Sequence, residues 1–183
     1  MRRFLLVLIF LFPFLISNAQ KITAANFVLS KQGKGFRTIQ LLLDDKIEIV
    51  ITGAGRIKYI GTTDGYPIEN LDQMGPRVEY YTDFDIHDVK GKLKSIGNLV
   101  FKYNNTFDIH DVKGTLKSVG DINITYYNTF DIHDPQGHVK SVGNVQVKYY
   151  NKFDINDRFG EIKSITGNTD ELSVTTRPIL FRQ

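Results

Sequence analysis

From Leu99 to Asp111 the chain alternates with a period of two. Leu99, Phe101, Tyr103, Asn105, Phe107, Ile109 and Asp111 share one parity, and Val100, Lys102, Asn104, Thr106, Asp108 and His110 share the other. A mostly apolar set alternating with a mostly polar one predicts a strand with one buried face. The segment is long for a single strand, so a bend or bulge is expected near Asn104-Asn105-Thr106. Asp111-Val112-Lys113-Gly114 then reads as a type I turn, with Asp first and Gly fourth. Thr115 to Val119 reads as a short return strand. Gly120-Asp121 reads as a tight reversal into the next unit, as do Gly97-Asn98 and Gly143-Asn144.

The pattern recurs along the chain. Phe-Asp-Ile-His-Asp begins at Phe84, Phe107 and Phe130, and Phe-Asp-Ile-Asn-Asp begins at Phe153, each step being 23 residues. Tyr80, Tyr103, Tyr126 and Tyr149 keep the same spacing, as do Gly91, Gly114, Gly137 and Gly160. Repetition at a fixed period marks units that stack on their neighbours. Copies are assigned to 78–98, 99–121, 122–144 and 145–167. A degenerate fifth copy is assigned to 42–61, because Gly55-Arg56-Ile57-Lys58 matches Gly91-Lys92-Leu93-Lys94. An inserted loop over 62–77, with Asp64-Gly65, Pro67, Gly75 and Pro76, separates it from the rest.

Further strands are expected over 26–30, 36–43, 46–52 and 171–176, and no helical pattern is present beyond the N-terminal segment. The fold expected over 20–183 is a single all-β domain. Its tandem 23-residue hairpins form a curled antiparallel sheet, a β-roll or a sandwich, since open sheets rarely exceed about 10 strands.

The turn element Asp-x-x-Gly followed by a basic or small residue and Leu, as in His87-Asp88-Val89-Lys90-Gly91-Lys92-Leu93, resembles the YD (RHS-type) repeat. His stands where that family usually has Tyr, and Lys where it has Arg. The resemblance implies a structural shell without catalytic residues.

The first residues change the picture of where the chain acts. Arg2 and Arg3 precede the apolar run Phe4 to Ile16, and Ser17-Asn18-Ala19 follows with small residues. This layout predicts a secretory signal peptide over 1–19. The run falls short of the roughly 20 residues that a spanning helix needs, which sets the signal reading above a retained anchor. A periplasmic or secreted protein is therefore expected, with no membrane insertion after cleavage. From Gln20 onward, basic and acidic residues nearly balance, which argues against a nucleic-acid partner. There is no cysteine, so disulfide scaffolds, thiol catalysis and thiolate metal sites are excluded.

Candidate chemistry follows from the copies. If Asp85 and His87, Asp108 and His110, and Asp131 and His133 share a strand face, they form a ladder of carboxylates and imidazoles. Such a ladder suits a divalent metal. Asp88, Asp111, Asp134 and Asp157 are turn residues that leave calcium binding open. Tyr80, Tyr103, Tyr126 and Tyr149 share parity with Phe84, Phe107, Phe130 and Phe153, so all are expected inside. Tyr81, Tyr127 and Tyr150 are expected outside with Asp85, Asp108, Asp131 and Asp154, as a surface for another envelope protein or a glycan. Lys94, Lys117, Lys140 and Lys163 form a row able to pair with that Asp row.

A serine repeated at 95, 118, 141 and 164 reads as architecture, not as a nucleophile. No Gly-x-Ser-x-Gly elbow, phosphate loop or His-Glu-x-x-His occurs. The expectation is a binding or structural protein with no cofactor. The alternatives are a metal- or calcium-binding module, and a hydrolase of extracellular polymers using Asp64, Glu69 and Asp72 on the inserted loop.

Overall fold

The computed structural model describes residues 21–68, 77–155, 158–179 and 181. The expected signal segment 1–19, part of the inserted loop with Glu69 and Asp72, and Asn156 and Asp157 lie outside the described residues.

The architecture is all-β, with no helix among the described residues. Among the described residues thirteen strands form two sheets. The first has five strands in the order β13-β1-β2-β3-β4, from β1 (Ile22–Leu29), β2 (Phe36–Leu43), β3 (Ile47–Thr52), β4 (Ile57–Thr62) and β13 (Leu172–Thr175). Its pairs are antiparallel except β1 with β13, which run parallel.

The second sheet is an eight-stranded antiparallel meander, ordered β12 back to β5. It contains β5 (Val78–Tyr80), β6 (Leu93–Ile96), β7 (Leu99–Tyr103), β8 (Leu116–Val119), β9 (Ile122–Tyr126), β10 (Val139–Val142), β11 (Val145–Tyr149) and β12 (Ile162–Thr166). The reversals at Gly97, Gly120 and Gly143 are two-residue loops. Each glycine has the positive φ that the first position of such a hairpin needs.

Equivalent residues occupy equivalent places in this meander. Tyr80 pairs with Leu93, Tyr103 with Leu116, Tyr126 with Val139 and Tyr149 with Ile162, each beside a register shift. The wider turn differs from expectation by one residue. It is closed by Thr115 N donating to Val112 O at 3.1 Å, with Gly114 third at φ 83°.

Two expectations are corrected. The segment 42–61 does not extend the meander, because β3 and β4 belong to the five-stranded sheet. The strand from Leu99 ends at Tyr103, and residues 104–111 form turns.

Leu99, Phe101 and Tyr103 point inward, and Val100 and Lys102 point outward. One continuous cluster joins these inward residues to Phe27, Leu41, Ile49 and Ile51 of the other sheet. Apolar burial of this kind is the main stabilising term, at roughly 25 cal/mol per Å².

Two hairpin turns of the five-stranded sheet pin the sheets together. Gly55 O accepts from Leu93 N and Gly33 O from Val139 N, both at 2.9 Å. A Cβ on Gly55 would lie 2.5 Å from the Tyr103 hydroxyl, and one on Gly33 would lie 2.5 Å from the Tyr149 ring. Only glycine allows so close an approach.

Candidate binding surface

After Tyr103 the chain leaves the sheet because Asn105 and Asp108 offer the backbone other partners. Asn105 N donates to Asp108 Oδ2 at 2.9 Å, and Phe107 N donates to Asn105 Oδ1 at 3.0 Å. Such local bonds compete with a strand ladder. Lys117 Nζ then donates to Asp108 Oδ1 at 2.5 Å from the return strand.

The same staple closes each neighbouring loop. Asp85 takes Thr82 N and Lys94, Asp131 takes Asn128 N and Lys140, and Asp154 takes Asn151 N and Lys163. The Lys–Asp distances there are 2.6, 2.7 and 2.6 Å. In Asp85 and Asp154 the lysine bond and then the backbone N–H hold the carboxyl below its ordinary range. In Asp108 and Asp131 partial burial pushes the other way, but lysine and the backbone N–H outweigh it.

Neighbouring loops also lock to one another. The His87 ring lies 4.5 Å from Phe107, His110 4.5 Å from Phe130 and His133 4.3 Å from Phe153, all tilted. The Nδ1 atoms of His87 and His110 sit within hydrogen-bond distance of the Thr106 and Thr129 hydroxyls. Asn105 Nδ2 donates to Asp88 Oδ1, and Asn151 Nδ2 to Asp134 Oδ1.

The outcome reverses an expectation. Phe84, Phe107, Phe130 and Phe153 are not core residues. They are exposed, from 70% at Phe107 to 96% at Phe84, and so are Ile86, Ile109, Ile132 and Ile155. Four stacked loops thus hold a double row of large apolar side chains in solvent. Patches on monomers usually reach only about 300–600 Å².

The tyrosines are redistributed as well. Tyr103, Tyr126 and Tyr149 are buried as expected, but Tyr80 is 42% exposed. Tyr81, expected outside, is buried, with its hydroxyl donating to Phe101 O at 2.9 Å. Tyr127 and Tyr150 are half-buried. Tyr127 donates to Val147 O, and Arg158 lies over the Tyr150 ring at 4.5 Å. Where a tyrosine is missing from this row, Asn104 is buried and bonds Thr115 Oγ1 at 2.8 Å. The chain turns its corner directly after the register shift, so the strand's parity does not carry across.

The acids and imidazoles do not gather. Among the described residues no group of three or more His, Asp or Glu side chains is placed to hold a metal ion. Asp85, Asp108 and Asp131 each face a lysine, and His87, His110 and His133 each face a Phe, so the expected ladder of ligands is taken up by other partners. Asp64 is on the described part of the inserted loop, whereas Glu69 and Asp72 are outside it.

Comparison with protein-family models, curated proteins and solved structures gave no match.

Proposed function

We propose that this chain is an exported, non-catalytic β-repeat protein that binds through the exposed Phe-x-Ile ribbon of its loops. The finer architecture belongs to the same proposal: tandem 23-residue hairpin units stack into a sheet that curls over the five-stranded one. The YD-like turn belongs to it too, as the element that spaces the loops.

The observation that carries this reading is the contrast between the ribbon and its support. The Asp–Lys staples, His–Phe contacts and inter-loop hydrogen bonds fix the loops, while each of the eight apolar side chains they carry stays 60% or more exposed. A rigid display of apolar side chains lowers the ordering cost of association.

The test is urea unfolding of the Ile86→Ser/Ile109→Ser variant, two ribbon positions 78% and 79% exposed, at a dilution where the chain is monomeric. A change within about 0.5 kcal/mol of the parent is expected, as for surface sites. A loss of about 2 kcal/mol or more would make the ribbon a structural element and end the binding reading.

A further inference from the structure

We infer that the occupant of this ribbon is a second copy of the same chain, docked antiparallel about a two-fold axis. The inference rests on the binding reading above and names its partner.

Area is the first argument. Eight side chains, each more than half exposed and each offering roughly 200 Å², make a ribbon on the order of 1,000 Å². A stable protein interface needs about 800 Å² from each partner. The ribbon alone meets that.

Period is the second. Successive loops are two strands apart, so rungs recur about every 10 Å. A row with equal steps has the same spacing read from either end. A two-fold axis can therefore seat each Phe of one copy in a gap of the other, along the whole row. Two-fold pairing uses one patch twice, which is the commonest solution among oligomers.

Charge is the third, and it fixes the direction. The residue just before each ribbon Phe is Asp83, Thr106, Thr129 and Lys152 in turn. The row thus starts negative, passes through two neutral positions and ends positive. Antiparallel docking brings Asp83 opposite Lys152 of the second copy, twice. Parallel docking sets like charges together. Among the described residues Asp83 pairs with the exposed Lys90, and Lys152 Nζ donates to Ile132 O at 3.0 Å. Exposed pairs of this kind are cheap to exchange.

Other occupants fit less well. A lipid surface would have to accept the carboxylates of Asp88, Asp111 and Asp134 beside the rungs, which is costly. A glycan would stack on Phe rings and leave the Ile row uncovered.

Sedimentation velocity on protein purified from cells expressing the full-length gene, from about 1 to about 100 µM, tests this. A monomer–dimer equilibrium is expected. Ile86→Ser/Ile109→Ser should weaken it about tenfold or more, and Lys152→Asp should do likewise. Asp83→Lys combined with Lys152→Asp should restore it, because the swap preserves the pairing. A monomer throughout, a dimer indifferent to the serine changes, or a swap that fails to rescue would overturn the inference.

The binding reading fails separately, through loss of stability in the serine variant. If the parent is monomeric and that variant is stable, zwitterionic vesicles and soluble oligosaccharides are tried next. Binding by the parent and not by the variant would reassign the ribbon and overturn the dimer.

Discussion

His110 and Phe130 belong to neighbouring loops, yet their rings lie 4.5 Å apart at a tilt of 52°. The contact always runs from one loop to the Phe of the next. The copy with no following loop is also the one with Asn156 in place of His. The imidazole thus finds its partner in the Phe ring of the next loop.

His110→Ala should cost about 0.5–1.5 kcal/mol, the usual worth of such a ring pair. His110→Phe, which keeps an aromatic ring, should cost less. Hydrogen exchange of the amides of Phe130 and Asp131 should quicken in the alanine variant while those of β9 stay protected. Equal quickening in β9 would mean global and not local loosening.

Asp108→Ala removes the acceptor for Asn105 N and the partner of Lys117 together. The backbone bond is worth about 1 kcal/mol, and the half-exposed lysine adds at most about as much again. A loss of about 1–2 kcal/mol by urea unfolding is expected. Lys117→Ala should cost the smaller share.

Much of the fold was legible because burial leaves a period-two mark. Leu99, Phe101 and Tyr103 on β7 and the reversals at Gly97, Gly120 and Gly143 stand where the pattern puts them, and so does β2. The site departs from the pattern for a physical reason. Phe107 and Ile109 continue the parity of Phe101, and alternation cannot tell a buried side chain from a displayed one. The signal that could separate them is Asn105 with Asp108, residues that strands disfavour and turns use. Tyr81 turns inward, against the parity of the strand, because a register shift precedes it. The position of 42–61 in the other sheet is set by pairing with β2, which no local pattern reveals.

Acid should weaken the fold in two stages. His138 is buried against Tyr149, at 4.9 Å between rings, and burial holds its pKa below the ordinary 6.5. The unfolded chain then takes up that proton first, so stability is full above about pH 6.5 and falls as pH drops below it. The stapled aspartates have lowered pKa values, so their contribution is full above their ordinary 3.8 and is lost only as pH falls below that. Unfolding midpoints between about pH 6.5 and pH 4.5 should therefore slope less in His138→Gln than in the parent, and both should drop steeply below about pH 4. Parallel profiles down to pH 4.5 would contradict the assignment to His138.

The join between the sheets offers a test that separates two costs at one position. Gly55 has φ 76°, and a Cβ there would meet the Tyr103 hydroxyl at 2.5 Å and the ring carbon that bears it at 3.2 Å. Gly55→Ala therefore carries a conformational cost of about 1 kcal/mol and a steric cost of about 1–3 kcal/mol. Tyr103→Phe removes the hydroxyl but leaves the ring, so it relieves only the shorter contact. In the double variant the steric share should shrink while the backbone share persists. A double-mutant cycle by urea unfolding should give a favourable coupling of about 1 kcal/mol or more. Zero coupling would mean that the turn moves aside freely, and the Leu93 N to Gly55 O bond would then not hold the two sheets in register.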